Sequence, residues 1–360
     1  MKICVYAICK NEAKFVDRWM DSMSEADCVV VTDTGSSDDT VEKLRTRGAE
    51  VYIEVVSPWR FDKARNLALS HIPEDADICI STDLDEVLEA GWRAKLEAAW
   101  KPGTTRLHYH YTWSFNADGT PGVTFLYDHI HGRHTDEWVN PVHECLRYIG
   151  TEPEQHIWCT DIKLKHYPDP TKSRSYYLPL LELAVAESPG EARNYHYLGR
   201  EYMFAGQWEK SIPMLEKYIA LSGWKEERAA SMRFIARDYK ALGKMQEAKG
   251  WLYRAIAETP HLREPYTEMA KLMYDQQDWA GIWHMVSDAF KIKERSSYIN
   301  EPWCWDYTLY DLGALGAYYL GLKDTALEYA KKAAEMRPGD ERLKKNISLI
   351  EHGMEKYTYL

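Results

Sequence analysis

Residues 77–86 read Asp77-Ile78-Cys79-Ile80-Ser81-Thr82-Asp83-Leu84-Asp85-Glu86. The apolar first half of this stretch predicts a buried strand that ends at its polar second half. Asp83 and Asp85 stand one residue apart at the C-terminal end of that strand, where two carboxylates can point at one divalent cation. A cation held in this way neutralises a diphosphate. The alternative is that Asp85 only caps a helix over Glu86–Trp100.

The residues around this stretch alternate between strand and helix patterns. Strands are predicted at Lys2–Cys9, Asp27–Thr32, Glu50–Val56 and Asp77–Thr82, and helices at Glu12–Met23, Thr40–Arg47 and Phe61–His71. This order predicts an α/β domain with a mostly parallel, Rossmann-like sheet and helices on both faces. Ligands of such sheets bind at the C-terminal ends of the strands. Residues 105–167 are rich in His, Tyr and Trp and predict added strands and loops around the site.

The pattern becomes helical and repetitive after Asp169-Pro170. Tyr202, Tyr239 and Tyr274 occupy matching positions at separations of 37 and 35 residues. These separations are close to the period of about 34 residues of tetratricopeptide repeats. We therefore expect two domains, an α/β domain at 1–170 and an all-α solenoid of tetratricopeptide-like repeats at 171–360.

Composition limits the environment and the partners. The net charge of −11 argues against binding of nucleic acid over a broad basic surface. It does not exclude a local basic groove. The seven cysteines include no C-x-x-C pair, which predicts reduced, mostly buried thiols and a cytoplasmic location. No signal peptide is visible and no apolar run approaches 18 residues, so no membrane association is expected.

Three further motifs precede the Asp83/Asp85 pair, each at a predicted strand end or helix start. They are Ala7–Glu12 (A-I-C-K-N-E), Thr32–Thr40 (T-D-T-G-S-S-D-D-T) and Trp59–Asn66 (W-R-F-D-K-A-R-N). In this order, the four motifs resemble those of the family 2 glycosyltransferases, which have the type-A nucleotide-sugar fold. The resemblance covers residues 1–170 and is closest to short bacterial and phage members with a tetratricopeptide tail.

The resemblance implies a set of donor-side roles. It places Asp33 at the base, with uracil favoured by family habit, and Asp83 at the ribose and the metal. It makes Asp85 a metal ligand, with His166 completing the metal shell. For His166, a packed strand histidine is the alternative. The remaining residues that it places at the donor are Asn11, Glu12, Gly35, Arg65 and Asn66.

The prediction for the acceptor side depends on the segment Trp138–Glu144, which resembles the family's apolar-H-E signature. The resemblance implies that Trp138 and His143 face the acceptor. Inverting transfer needs a carboxylate that takes the proton of the attacking hydroxyl. Glu144 is one candidate for this base, and the pair Asp136-Glu137 is the alternative.

The expected function is a metal-dependent, inverting glycosyltransferase. It would use Mn²⁺ or Mg²⁺ to move a sugar from a nucleoside-diphosphate sugar, with a UDP-sugar favoured. A repeat domain directly after a transferase predicts a macromolecular acceptor that contacts the repeats, such as a protein, a glycan or a modified DNA base. The repeats could also form a homodimer. The alternative function is a nucleotide-sugar-binding scaffold with weak or no catalysis, whose repeats bind a protein partner.

Overall fold

The computed structural model describes residues 1–116, 118–169, 177–295 and 299–352. The chain divides into two compact units, Met1–Ala184 and Val185–Leu360. The predicted domain boundary between residues 170 and 171 lies outside the described residues.

The first unit alternates strands and helices through its first hundred residues and then continues with strands. Its strands are β1 (Ile3–Cys9), β2 (Cys28–Asp33), β3 (Glu50–Ile53), β4 (Ile78–Ser81), β5 (Glu86–Leu88), β6 (Arg106–Thr112), β7 (Thr124–Gly132), β8 (Asp136–Val139), β9 (Cys145–Tyr148) and β10 (His156–His166). Its helices are α1 (Val16–Ser22), α2 (Thr40–Thr46), α3 (Phe61–Ser70) and α4 (Trp92–Ala99), and α5 (Tyr177–Glu187) crosses into the second unit.

The main sheet is mixed and has the order β3-β2-β1-β4-β7-β6-β10-β5. The pairs β3–β2, β2–β1, β1–β4 and β6–β10 are parallel, whereas β7 and β5 are antiparallel to their neighbours. Six of the eight strands therefore run in one direction and end at the same edge of the sheet. Strands β8 and β9 form a separate hairpin.

Two apolar layers sandwich the first strands of this sheet. On one face, the side chains of Ile3, Val5 and Ala7 pack with α1 through Trp19. On the other face, Cys4, Tyr6 and Ile8 pack with α3. Because successive side chains of a strand point to opposite faces, a strand buried on both sides reads as the continuous apolar run seen in β1.

The structure corrects the predicted helix at Glu86–Trp100. Residues Glu86–Leu88 form β5, antiparallel to the end of β10, and the helix begins only at Trp92. Gly91 precedes it with φ +81°, a conformation that favours glycine. Asp85 therefore does not cap a helix that starts at Glu86, and the capping alternative is wrong.

The expectation of seven reduced cysteines is also wrong for one pair. Cys4 and Cys28 lie opposite each other on β1 and β2, and a disulfide joins them. Parallel neighbours bring the two Cα atoms to 4.8 Å, which is within the range for such a bond. Among the described residues, the other five cysteines form no disulfide.

The second unit is helical. Its elements are α6 (Ala192–Phe204), α7 (Trp208–Leu221), α8 (Lys225–Ala241), α9 (Met245–Glu258), α10 (Arg263–Asp275), α11 (Trp279–Lys291), a 3₁₀ turn at Pro302–Cys304, α12 (Thr308–Tyr319), α13 (Lys323–Met336) and α14 (Glu341–His352). Successive helices form hairpins, α6 with α7 through α12 with α13. The prediction of helical repeats is confirmed.

The turn inside each hairpin explains the spacing of the glycines. Gly206, Gly243 and Gly321 follow the first helix of their hairpins with φ between +70° and +79°. Gln277 takes the matching place in the third hairpin with φ +56°. A left-handed residue at this point ends one helix and lets the chain return as the next.

Candidate functional site

The strand ends at one edge of the sheet collect most of the predicted donor-side residues. Parallel neighbours place their carboxyl ends side by side, so residues far apart in sequence meet there. At or just after these ends lie, in chain order, Asn11, Asp33, Asp83, Asp85, Trp113 and His166.

Asp33 shapes the loop that follows β2. Its carboxylate accepts hydrogen bonds from the backbone N–H groups of Gly35 (3.0 Å) and Ser36 (2.9 Å). Gly35 has φ +106°, so the turn requires a glycine at this position. The side chain of Asn11 accepts from the N–H of Ser37 at 2.8 Å and ties the loop after β1 to the same turn. The structure therefore gives Asp33 and Asn11 a role in building this loop.

Glu12 and His143 lie at the margins of this arrangement. The N–H of Glu12 donates to the hydroxyl of Thr40 at 2.8 Å, and the residue is buried against the start of α2. The ring of His143, in a loop residue with φ +50°, lies 5.8 Å from the ring of Tyr177.

Arg65 is the central cation of the site. From the buried face of α3, its Nη2 donates to Asp83 at 3.0 Å and its Nε donates to Glu144 at 2.5 Å. Its Nη1 also donates to the hydroxyl of Ser81 at 3.3 Å. Burial lowers the pKa of Arg65, but the charges of Asp83 and Glu144 outweigh burial and raise the pKa above its ordinary value. Arg65 is therefore a permanent positive charge beside the two carboxylates.

Asp85 and His166 face each other across the ends of β4 and β10. His166 Nε2 lies 3.6 Å from Asp85 Oδ2, and Nδ1 lies 3.1 Å from the carbonyl oxygen of Trp113. With a proton on Nδ1 donated to that carbonyl, Nε2 is the ring nitrogen that faces Asp85. Burial lowers the pKa of His166, but contact with Asp85 outweighs it, so the pKa is raised.

Glu86 is the one residue of the motif at 83–86, apart from Leu84, to which the sequence analysis assigned no role in the site. It is buried, its carboxylate accepts from the hydroxyl of Tyr111 at 2.6 Å, and it accepts from the backbone N–H of Asp83 at 2.9 Å. Burial, followed by the charge of Asp83, raises the pKa of Glu86 to about 8. Through these bonds Glu86 fixes the backbone of Asp83, and no local pattern distinguishes this role from that of a surface glutamate.

Trp113 was also missed. It follows β6 directly, the residue is 42% exposed, and its ring centre lies 4.6 Å from that of His166. An exposed indole beside a candidate metal ligand supplies a flat apolar surface next to the site.

Trp138 and Asn66 are joined by hydrogen bonds in the interior of the first unit. The Asn66 amide donates to the carbonyl of Trp138 and accepts from its N–H, both at 2.8 Å. The Trp138 ring is buried, and its indole N–H donates to the hydroxyl of Tyr6 at 2.7 Å. Trp138, predicted at the acceptor, thus lies in the interior, whereas Trp113 is the exposed indole at this edge.

The three candidate bases occupy different surroundings. Asp136 is buried in an ion pair with Arg106, and Glu137 pairs across the β8–β9 hairpin with Arg147. Of these three, Glu144 is the one that contacts a residue predicted at the donor, namely Arg65.

The carboxylate oxygens at this edge suit a hard cation such as Mg²⁺ or Mn²⁺. Within the ranges that the structure describes, no three His, Cys, Asp or Glu side chains form a metal-binding group by themselves. Asp85 and His166 form a pair. Mg²⁺ is commonly held by one or two protein ligands together with substrate phosphates, and a pair fits that mode.

No family model matches the chain. Among solved structures, the chain is similar to MamA (21% identity, 47% of this chain and 83% of that chain covered, TM-score 0.36). It is also similar to PilF of Pseudomonas aeruginosa (16% identity, 46% and 70% covered, TM-score 0.38). A third is YrrB, described as a TPR protein with an unusual peptide-binding site (13% identity, 48% and 82% covered, TM-score 0.40).

The helices offer no candidate for a membrane span. Throughout the described part of the chain, none combines the length and the apolar character that crossing a bilayer demands.

Proposed function

We propose that the protein is a metal-dependent glycosyltransferase that takes its sugar from a nucleoside-diphosphate sugar, with a UDP-sugar favoured. The observation that carries this proposal is the pairing of Asp85 with His166, 3.6 Å apart at the sheet edge where Arg65 also meets Asp83. A pair of metal ligands beside a buried guanidinium suits a diphosphate, which needs positive charge on several oxygens.

In this proposal Asp85 and His166 hold the cation, and the bound cation would neutralise the charge of the leaving diphosphate. Arg65 would bind the diphosphate by exchanging its bond to Asp83, a half-exposed partner at the same edge, for a bond to a phosphate oxygen. Asp33 and Asn11 keep the loops after β1 and β2 in place for the nucleoside. Glu86 positions Asp83 by accepting from its backbone N–H.

Glu144 is the base that this geometry favours over Asp136 and Glu137. In the structure, Arg65 Nε donates to Oε1 of Glu144. A diphosphate that draws Arg65 towards itself would loosen this ion pair and free the carboxylate. Glu144 would then take the proton of the acceptor hydroxyl while that oxygen bonds to the anomeric carbon and the nucleoside diphosphate leaves from the opposite face, with inversion.

The test is thermal unfolding with UDP, GDP and their sugars, each with and without Mn²⁺. A ligand at 100 times its Kd adds about 2.7 kcal/mol to the native state, which raises the Tm of a unit of this size by about 5–10 °C. We expect a nucleotide to raise the Tm only when Mn²⁺ is present. This increase should be lost in Asp85→Asn and kept in the matched control Asp161→Asn, because Asp161 is an exposed residue of β10. If the nucleotide still raises the Tm of Asp85→Asn, Asp85 is not a metal ligand of the nucleotide site.

The alternative function, a nucleotide-sugar-binding scaffold, is distinguished from a transferase by whether the donor is turned over. A nucleotide-sugar-binding scaffold shows the same stabilisation but neither hydrolyses the donor nor transfers its sugar. Release of free UDP from a stabilising UDP-sugar, measured over hours, separates the two functions. The macromolecular acceptor, its contact with the repeats and a homodimer through the repeats stay predictions.

A further inference from the structure

A cavity of about 310 Å³ opens in the second unit. It lies among α8, α9, α10 and the segment 299–305, which interrupts the repeat period between α11 and α12. We call it the groove cavity. Its polar and aromatic walls include Arg237, Lys240, Glu268, Lys271, Glu301 and Trp303.

The arginines of this region are already neutralised. Arg233 Nη1 lies 2.6 Å from Glu268 and 3.1 Å from Glu301. Arg237 Nη2 lies 2.7 Å from each of the same two carboxylates. Two cations thus face two anions, and this part of the wall has no charge left over for a ligand.

Lys271 differs from these arginines. Its Nζ lies 3.6 Å from the centre of the Trp303 ring, and no carboxylate of the described residues forms an ion pair with it. The neighbouring Lys240, in contrast, pairs with Asp275 at 2.6 Å. Burial lowers the pKa of Lys271 and outweighs the more distant charges of Glu268 and Asp306, because the ammonium has lost part of its water. This cation on the cavity wall has no described carboxylate within ion-pair distance, and the cavity has room for an anion.

We propose that the groove cavity binds a carboxylate of an acidic peptide, with Lys271 as the counter-ion. The Trp303 ring and the buried Leu272 line the same space and would contact the apolar part of the bound residue. A carboxylate is favoured over a phosphate, since the single charge of Lys271 balances a carboxylate but leaves a dianion half compensated.

The chain itself shows how these helices hold such a segment. Glu301 is extended, with φ −106° and ψ 123°, and its backbone N–H donates to the carboxylate of Glu264 at 3.0 Å. Its own carboxylate lies between Arg233 and Arg237. An extended residue bound by its carboxylate and by its backbone N–H is the arrangement that we infer for the peptide beside it.

The inference is independent of the nucleotide site and can be tested on the full chain. Isothermal titration uses three acetylated, amidated tripeptides: Ala-Glu-Ala, Ala-Gln-Ala and Ala-phosphoserine-Ala. We expect the Glu peptide to bind at least about ten-fold more tightly than the Gln peptide, as a charge-assisted hydrogen bond allows. Lys271→Gln should abolish this preference, while Lys271→Arg and the exposed control Lys217→Gln should keep it.

Three results would overturn the inference. These are equal binding of the Glu and Gln peptides, a preference that survives in Lys271→Gln, and tighter binding of the phosphoserine peptide than of the Glu peptide. Thermal melting of each variant verifies that it is folded. Should Lys271→Gln not fold, Trp303→Phe replaces it, and it should weaken binding of the Glu and Gln peptides alike without removing the preference.

Discussion

Arg65 and Glu144 form an ion pair with an Nε–Oε1 distance of 2.5 Å across 79 residues of sequence. Both side chains are nearly buried, with exposures of 7% and 11%. The pair joins α3 to the loop before β9, so the position of Glu144 depends on Arg65.

Replacing Arg65 by Met should destabilise the first unit by about 3–5 kcal/mol, because it leaves Glu144 buried without its counter-ion. The double variant Arg65→Met/Glu144→Gln should recover part of this loss. Urea unfolding of the wild type, both single variants and the double variant measures the coupling. Strictly additive losses would mean that the two residues do not stabilise each other.

Replacing His166 by Gln should weaken Mn²⁺ binding in the presence of UDP by at least about ten-fold, since changes around a metal commonly cost this much. Electron paramagnetic resonance of free Mn²⁺ during a titration gives the Kd. The control is His284→Gln, whose side chain is 71% exposed on α11. Equal Kd values for the two variants would exclude His166 as a ligand.

Glu301 should make the second unit sensitive to acid. Burial raises its pKa, but Arg237 and Arg233 outweigh burial and lower it to about 2 from an ordinary 4.5. A lowered pKa stabilises the fold above pH 4.5, and this contribution disappears as the pH falls towards 2. Glu301→Gln should therefore be less stable than the wild type by up to about 3 kcal/mol at pH 7, and the gap should close in acid. Urea unfolding at pH 7, 4 and 2.5 measures the difference in free energy of unfolding between the wild type and Glu301→Gln. A difference that does not change with pH would contradict a lowered pKa of Glu301.

Two glycines in the repeats should respond oppositely to alanine. A Cβ on Gly199 would lie 2.6 Å from Cγ of Leu215, where α6 packs on α7. Gly199→Ala should thus cost about 1–3 kcal/mol. A Cβ on Gly250 in α9 meets nothing within 4 Å. Gly250→Ala should gain about 0.5–1 kcal/mol from helix propensity. Thermal unfolding compares the two, and shifts of the same sign would be inconsistent with the packing.

The sequence predicted what depends on local patterns. The apolar run of β1 and the spacing of Tyr202, Tyr239 and Tyr274 each repeat over enough residues to indicate an element. The three residues of β5 do not, because Glu86-Val87-Leu88 reads equally well as a first helical turn. Only pairing with β10, almost eighty positions later, makes this segment a strand.

The candidate site likewise contains residues that a local pattern indicates and residues that only the folded structure brings together. The Asp83/Asp85 pair and His166 could be singled out because they follow strand patterns or match a motif. The ion pair of Arg65 with Glu144 and the contact of Trp113 with His166 arise from tertiary packing, which no short window records. Trp138 was placed at the acceptor because its motif is local, whereas its burial against Tyr6 is a property of the folded sheet.

The partner of β5 has a consequence for synthesis on the ribosome. Among the described strands, β5 pairs with β10 alone. A growing chain that has released Asp85 cannot fix the loop that carries it until β10 emerges, about 4–16 s later at ordinary synthesis rates. The nucleotide binding that we propose should therefore be absent from shorter nascent chains and appear abruptly once residue 166 clears the exit tunnel.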